Sequence, residues 1–187
     1  RYSGAQNRND QGQAIAVDGT GNVYITGYVE TSADDVQMIT IKYNSSGVQQ
    51  WAVTYVSTYS SAISSSLALD GSNNVYITGW CDTLVSGSGK RQYTTIKYNS
   101  GGVQQWVKKY NYNNGDAEAV MIKTDASANV YVTGRSFAAG STQWDFATVK
   151  YNTNGDQQWV SRFSSSNGIT EDAAAAMCVD NNGNVYV

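Results

Sequence analysis

Hydrophobic and polar residues alternate at period two along this chain, in short runs separated by clusters of Gly, Asn, Asp and Ser. In the first fifty-odd residues the runs fall at 13–18, 22–28, 36–44 and 48–56. They are rich in Val, Ile, Thr, Tyr and Trp, the types that suit a pleated surface, so each predicts a β-strand. Residues 18–22 read Asp-Gly-Thr-Gly-Asn and residues 44–47 read Asn-Ser-Ser-Gly. Asp and Asn fold onto their own backbone while Gly accepts positive φ, so both segments predict tight hairpins. The unit is a four-stranded antiparallel meander. Helical spacing is absent from windows of ten residues or more; the alanines within 171–177 allow a turn at most.

Along the second run, Val23 and Ile25 point one way and Tyr24 and Thr26 the other. Both faces are therefore to be covered, as in sheets stacked face to face. The chain supplies the neighbours by repeating itself. Val-Tyr-Ile-Thr-Gly begins at Val23 and Val75, Val-Tyr-Val-Thr-Gly at Val130, and Val-Tyr-Val at Val185. Lys-Tyr-Asn follows at Lys42, Lys97 and Lys150, and Gln-Gln-Trp ends at Trp51, Trp106 and Trp159. An Asp closes each first run, at Asp18, Asp70, Asp125 and Asp180. Repeats of this length mark an array whose units cannot exclude water alone. In the third unit Ala126 and Ala128 stand where the first has Gly19 and Gly21, which predicts a less comfortable turn there.

The succession Asp-x-x-Gly-Asn-Val-Tyr-Ile-Thr-Gly, Ile-Lys-Tyr-Asn-Ser-Ser-Gly, Gln-Gln-Trp resembles the bacterial seven-bladed β-propeller repeat, the SBBP repeat. The likeness recurs in three units and spans essentially the whole chain. It implies an all-β fold: four-stranded antiparallel blades, about three and a half of a seven-bladed ring, usually within large secreted or surface-attached proteins. NHL and quinoprotein propellers share one piece each, the Gly-Asn-Val-Tyr strand and the Trp after the third hairpin. Kelch repeats expect a double Gly that is absent. The expected division is 1–10 as the end of a preceding blade, blades at 11–56, 57–111 and 112–163, and half a blade at 164–187. That division makes the sequence a portion of a longer polypeptide, its remaining blades supplied by the parent chain or by a second copy.

Composition narrows the function classes. Charged residues make up 14% of the chain and the net charge is −3, against about 25% charged in a typical domain. No basic footprint for nucleic acid is present, and no apolar run long enough for membrane insertion. Weak charge with abundant Ser, Asn, Thr, Gly and Tyr suits an extracellular or cell-surface setting. Pro is absent, where about nine would be usual, so Gly and Asn make the turns. With no His, a Ser–His–Asp relay and a Cys/His zinc site are excluded within this sequence. Cys81 and Cys178, a whole unit apart, are expected to remain unpaired thiols packed as small hydrophobes. Residues 87–90, Gly-Ser-Gly-Lys, lack the remaining residues of a phosphate-binding loop. Asp180-Asn181-Asn182-Gly183-Asn184 has calcium-like oxygens but occupies the hairpin position of Asp18–Asn22, and reads as a turn.

Functional residues are expected where the repeat breaks. In propellers the blade-joining loops and the second-to-third loops share one rim, and binding residues concentrate on such loops. The second-to-third loops are read as carrying Glu30, Asp34 and Asp35; Asp82, Lys90 and Arg91; and Arg135, Phe137 and Trp144. Of these Trp144, Arg135, Lys90, Arg91, Asp34 and Asp35 are the candidate partner contacts, Trp144 foremost because no other unit has its equivalent. The blade-joining loops carry Asp10, Asp116, Glu118, Glu171 and Asp172, a set that at a channel mouth would suit Ca2+; no other cofactor is expected. Lys42, Lys97 and Lys150 are expected either to pair with the Asp series or to snorkel to the rim. The function expected is a non-catalytic interaction or structural propeller binding a protein, with a glycan-binding propeller as the alternative and a channel-sited enzyme third.

Overall fold

The computed structural model describes residues 8–32, 35–59, 61–85, 88–138, 143–165 and 171–187. Three four-stranded antiparallel sheets and one two-stranded sheet follow one another along the chain. The first contains β1 (Asp10–Val17), β2 (Val23–Ser32), β3 (Asp35–Tyr43) and β4 (Gln49–Tyr55). The second contains β5 (Ala62–Leu69), β6 (Val75–Val85), β7 (Ser88–Tyr98) and β8 (Gln104–Tyr110). The third contains β9 (Ala117–Thr124), β10 (Val130–Ser136), β11 (Asp145–Tyr151) and β12 (Gln157–Phe163); β13 (Cys178–Val179) and β14 (Val185–Tyr186) form the last. Each strand pairs with the next, the meander that the alternation predicted. The architecture is all-β, and the sheets are those of propeller blades. No helix forms over 171–177, and no helix is long and apolar enough to cross a membrane among the described residues.

The second and third strands run further than the hydrophobic pattern indicated. In the second sheet the β6–β7 pairing continues without a break from Val75↔Tyr98 to Val85↔Ser88. Asp82, Lys90 and Arg91, read from sequence as loop residues, are thus strand residues, as are Glu30, Asp35 and Arg135. Backbone pairing continues past the point where the side chains cease to be apolar, and period-two hydrophobicity cannot register that part of a ladder.

The Gly that closes each Val-Tyr-Ile/Val-Thr-Gly phrase has a physical cause. The first two strands of each sheet change register beside it, between Gly12 and Ala14, Ser64 and Ser66, and Thr133 and Gly134. The bulge pushes a carbonyl toward the facing residue. A Cβ on Gly27, Gly79 or Gly134 would stand 1.9, 2.0 or 2.1 Å from the carbonyl oxygen of Gln11, Ile63 or Glu118. Only Gly fits.

Each sheet has an aromatic face and an aliphatic face, and the sheets stack aromatic onto aliphatic. Tyr24 and Met38, with the flanking Trp51 and Tyr55, pack on Val75, Ile77, Ile96 and Tyr98 of the second sheet. Tyr76, Tyr93 and Tyr110, with Trp106, pack on Val130, Val132, Val149 and Tyr151 of the third. Full burial of one such side chain contributes about 1.5–3 kcal/mol. Burial pushes the phenols of Tyr76, Tyr98 and Tyr151 well above their ordinary value of 10.0. Buried threonines pair across neighbouring strands: the hydroxyls of Thr78 and Thr95 lie 3.2 Å apart and those of Thr133 and Thr148 3.0 Å apart. Thr26 donates to the Ser64 hydroxyl, which donates onward to the Gly27 carbonyl, closing the first seam.

The rim bearing the β1–β2 and β3–β4 type hairpins, here the lower rim, repeats its chemistry unit by unit. Asp18 Oδ1 accepts the backbone N–H groups of Thr20 and Asn22, while Oδ2 accepts Asn22 Nδ2 and the Tyr24 hydroxyl. Asp70, Asp125 and Asp180 repeat the arrangement with Tyr76, Tyr131 and Tyr186. The side-chain bond from Asn22 leads in holding Asp18 far below the usual carboxylate range, and that from Asn184 leads in lowering Asp180. For Asp70 and Asp125 burial pushes upward, but the bonds from Asn74 and Asn129 prevail and the pKa is again lowered. These oxygens are occupied by the turn, so the calcium-like spelling of 180–184 is that of an Asx turn, as expected. The third position after the Asp is left-handed in every copy: Gly21 (φ 81°), Asn73 (φ 59°), Ala128 (φ 58°) and Gly183 (φ 79°). Ala128 is the strained member.

The lysines correct one expectation. Among the described residues no carboxylate pairs with Lys42, Lys97 or Lys150. Each ammonium lies over the ring of Tyr24, Tyr76 or Tyr131, at 5.0, 5.2 and 4.9 Å from the centroid. The Asp oxygens are already filled by the turn and by that same tyrosine's hydroxyl, so the cation takes the tyrosine's π face. Lys42 then donates to the Ser100 carbonyl (3.4 Å) and Lys97 to the Thr153 carbonyl (3.1 Å), both in the next sheet's hairpin. The indole N–H groups of Trp51 and Trp106 donate to the same two carbonyls at 3.1 Å. Gly102 and Gly155 lie flat against those indoles, where a Cβ would come within 2.8 and 2.9 Å. Each seam is thus latched by a Trp, a Lys, one carbonyl and one Gly. Cys81 is buried in β6 and accepts from the Thr94 hydroxyl; Cys178 is also unpaired but exposed, contrary to the expected packing, because it stands on the two-stranded sheet.

Candidate functional site

The opposite, upper rim carries the ends of the second strands, the starts of the first and third strands, and the described residues that flank them. Here the repeat breaks, at the seam between the second and third sheets. Arg91, early in β7, and Arg135, near the end of β10, converge on Glu118 in β9. Arg135 Nε and Nη2 donate to Glu118 Oε2 at 2.9 and 2.6 Å, and Arg91 Nη1 donates to Oε1 from the neighbouring sheet. The Glu118 side chain is only 12% exposed. Burial pushes its pKa up, yet the hydrogen bonds of Arg135 and then Arg91 prevail and hold it below the ordinary 4.5. A bidentate, charge-assisted contact of this kind is geometrically specific as well as strong.

Both guanidiniums rest on indoles. The Arg91 guanidinium lies 4.4 Å from the Trp80 ring centroid and that of Arg135 lies 4.4 Å from Trp144. Phe137 meets Trp144 edge-on at 4.6 Å. Beside them Asp116 accepts the Arg91 backbone N–H at 2.7 Å and pairs with Lys90 at 3.6 Å. A fourth cation, Arg162, stacks on Tyr112 at 3.8 Å and bonds to Asp145 at 2.7 Å and to the Ser136 hydroxyl. The Trp144 segment is tied onward to the connection before β13, where Asp172 N–H donates to its carbonyl.

Four of the six expected partner contacts, Lys90, Arg91, Arg135 and Trp144, therefore come together. Asp35 does not join them. It lies on the first sheet, where it accepts from the Thr31 hydroxyl and from Gln37 Nε2 at 2.9 Å. Asp34 lies outside the described residues. Trp144, singled out because no other unit has it, is explained as the floor beneath Arg135.

The acidic ring is corrected. Asp10, Asp116, Glu118, Glu171 and Asp172 do not assemble: among the described residues no three Asp, Glu or Cys side chains are placed to hold a metal ion. Asp116 and Glu118 face cations supplied by the neighbouring second sheet, Asp172 accepts the Ser165 N–H at 2.6 Å, and Glu171 is exposed. Asp10 stands at the start of β1, two sheets away. The acids do neutralise charge at the seam, with arginine in the role foreseen for calcium.

Sequence reasoning missed Trp80, Tyr112, Asp145 and Arg162. A signal existed for two of them. The residue after the repeated Gly is Tyr28, Trp80 or Arg135, and Arg162 stands where the other units have Thr54 and Lys109. Repeat-breaking positions inside strands mark this site as well as loop residues do.

Comparison with known proteins agrees with the fold. The family profile described as Beta-propeller repeat, SBBP, matches residues 1–28. That span includes β1 and the first Val-Tyr-Ile-Thr-Gly phrase, whose architecture the second and third sheets reproduce. No curated protein matches the chain.

Proposed function

We propose, from the premise of a chain carrying the SBBP β-propeller repeat, that it is a non-catalytic interaction module that binds a protein partner through its upper rim. The observation that carries this reading is the Arg91–Glu118–Arg135 bridge over Trp80 and Trp144. Paired cations on aromatic floors occur at this rim where the repeat is broken, and Arg and Trp are the residue types that dominate binding hot spots. Glu118 holds both guanidiniums in place before any partner arrives, which lowers the ordering cost of binding. Arg91 is 47% exposed at its side chain, so its remaining donors face solvent and suit a carboxylate or carbonyl. Low charge and a surface of Ser, Asn and Thr support an extracellular or cell-surface setting.

The test is selection of binders from a peptide display library on the immobilised chain, with a glycan array in parallel. Selected peptides should lose about tenfold or more in affinity on Arg91→Ala and keep their affinity when Lys42 on the lower rim is changed to Ala. Peptides indifferent to Arg91 would sink the reading. Hits confined to the glycan array would replace the protein partner by a carbohydrate.

A further inference from the structure

The upper-rim cluster holds more donors than its own carboxylates use. Glu118 accepts from Nε and Nη2 of Arg135 and from Nη1 of Arg91. Among the described residues, Arg135 Nη1 and Arg91 Nε and Nη2 meet no protein acceptor. Lys90 and Arg162 have carboxylates of their own in Asp116 and Asp145, whereas Arg91 and Arg135 share the one of Glu118. Both side chains reach solvent, Arg91 at 47% and Arg135 at 35% exposure. Each guanidinium is stacked on an indole and tethered by Glu118, so neither has to be ordered when a further acceptor arrives.

The same side of the β6–β7 ladder carries an apolar step beyond the arginine. Trp80 stands across from Tyr93, Asp82 from Arg91 and Leu84 from Gly89. Alternate residues of a strand share a side, so Leu84 projects on the side of Trp80 and Arg91. Gly89 places no side chain opposite it. Leu84 is 53% exposed and the nearby Tyr59 52%, with the Tyr59 ring 3.5 Å from where a Gly89 Cβ would stand. The first unit has Ser32 at the position of Leu84, so stacking of the repeat does not ask for an apolar residue there.

We propose that this rim takes a peptide segment in which an acidic residue adjoins an apolar one. The Asp or Glu carboxylate accepts from the donors that Glu118 leaves on Arg91 and Arg135. The adjoining aliphatic or aromatic side chain settles on Leu84 and Tyr59, in the gap over Gly89. The inference rests on the reading of the upper rim as a protein-binding surface, and names what that surface selects. A carboxylate suits the leftover donors because its two oxygens match planar guanidinium forks, as Glu118 already shows. A doubly charged phosphate suits them less. Asp82 stands across the ladder from Arg91, and Asp116 accepts the Arg91 N–H; each repels a second negative charge. A carbohydrate acid would meet the guanidiniums but leave Leu84 without an apolar partner.

The experiment selects Arg91-dependent peptides from a random display library on the immobilised chain and measures synthetic copies by calorimetry. The selected peptides should carry Asp or Glu beside Leu, Ile or Phe. Replacing that acid by its amide should weaken binding about tenfold or more, and Leu84→Ser in the chain should weaken it about fivefold. Leu84 is exposed, so the Leu84→Ser chain should melt with the unsubstituted one, which separates a lost contact from a lost fold. Arg91-dependent peptides that lack an acid, or that bind equally well as the amide, overturn this inference and leave the upper-rim reading standing. Equal binding by the Leu84→Ser chain overturns it as well. Absence of any Arg91-dependent peptide overturns both. Retention confined to uronic-acid glycans overturns it in favour of an acidic carbohydrate.

Discussion

The two rims solve the same problem, joining one sheet to the next, by different means. On the lower rim both seams between the four-stranded sheets use the same parts: an Asp-capped hairpin, a Tyr that donates to it, a Lys over the Tyr, and a Trp reaching a carbonyl 47 to 49 residues away. On the upper rim the seam between the second and third sheets is held by Arg91, Glu118 and Arg135, a set that neither other unit spells. The repeated device is what stacking requires. The singular device exceeds that requirement, since the seam is already latched below, and this excess directs the search for function to the upper rim.

That contrast can be broken most forcefully from below. Trp106→Ala removes an indole that packs on Tyr76 of its own sheet and on Tyr151 of the next, and donates to the Thr153 carbonyl. It should cost about 3 kcal/mol, at the low end for loss of a large aromatic because the side chain is only partly buried. Urea unfolding measures it, and a loss under about 1 kcal/mol would show that the latch is ornamental.

Glu118→Gln comes next. It leaves two guanidiniums facing a neutral amide, and the expected cost is about 2 kcal/mol, reduced from the fully buried case because both arginines reach solvent. The pH dependence has a definite sign. The folded pKa of Glu118 is lowered from 4.5, so its contribution is fully present above that value and is lost as pH falls below it. Asp70 and Asp125, lowered from 3.8, add to the decline further down. Melting temperature should therefore be level above pH 5 or so and fall on acidification, less steeply in Glu118→Gln. Identical acid profiles for the two proteins would dissociate the bridge from stability.

Ala128→Gly tests whether the lower-rim units are equivalent in strain. Ala128 holds φ 58° where two other units have Gly, and relief of that conformation should stabilise by about 1 kcal/mol. A thermal melt that moves downward would place the backbone's preference elsewhere. The smallest expected effect on folding is that of Arg91→Ala, about 0.5 kcal/mol for one half-exposed ion pair. Its effect on partner binding should be the largest of the set, so comparing its melt with its binding isotherm separates adhesive from recognition roles.

The lower rim was largely legible from sequence because its signals are local. Asp18, Gly21 and Asn22 make a turn by themselves, and the alternation around Tyr24 announces two covered faces. The destination of Lys42 was not legible. Its partners are a ring eighteen residues back and a carbonyl in the next sheet, and the register between stacked sheets is written in no single stretch of chain. The same limit hid the upper seam. Arg91 and Arg135 were recognised as breaks in the repeat, but Glu118 was assigned to a metal because nothing in its own segment says that a β7 residue from the neighbouring sheet will meet it. Strand ends were misjudged for a separate reason: the β6–β7 ladder continues through Asp82 and Arg91, where hydrophobic period has faded and only the backbone keeps pairing.

The division of each sheet into an aromatic and an aliphatic side gives the array a direction, like pages numbered in order. A unit duplicated in tandem finds a ready neighbour both before and behind it, with every seam intact. A unit turned back to front meets its like on either side, ring against ring and valine against valine, with its indole pointing away from any glycine. Such an architecture can lengthen or shorten by whole copies through gene duplication and deletion, while inversions are refused by packing alone.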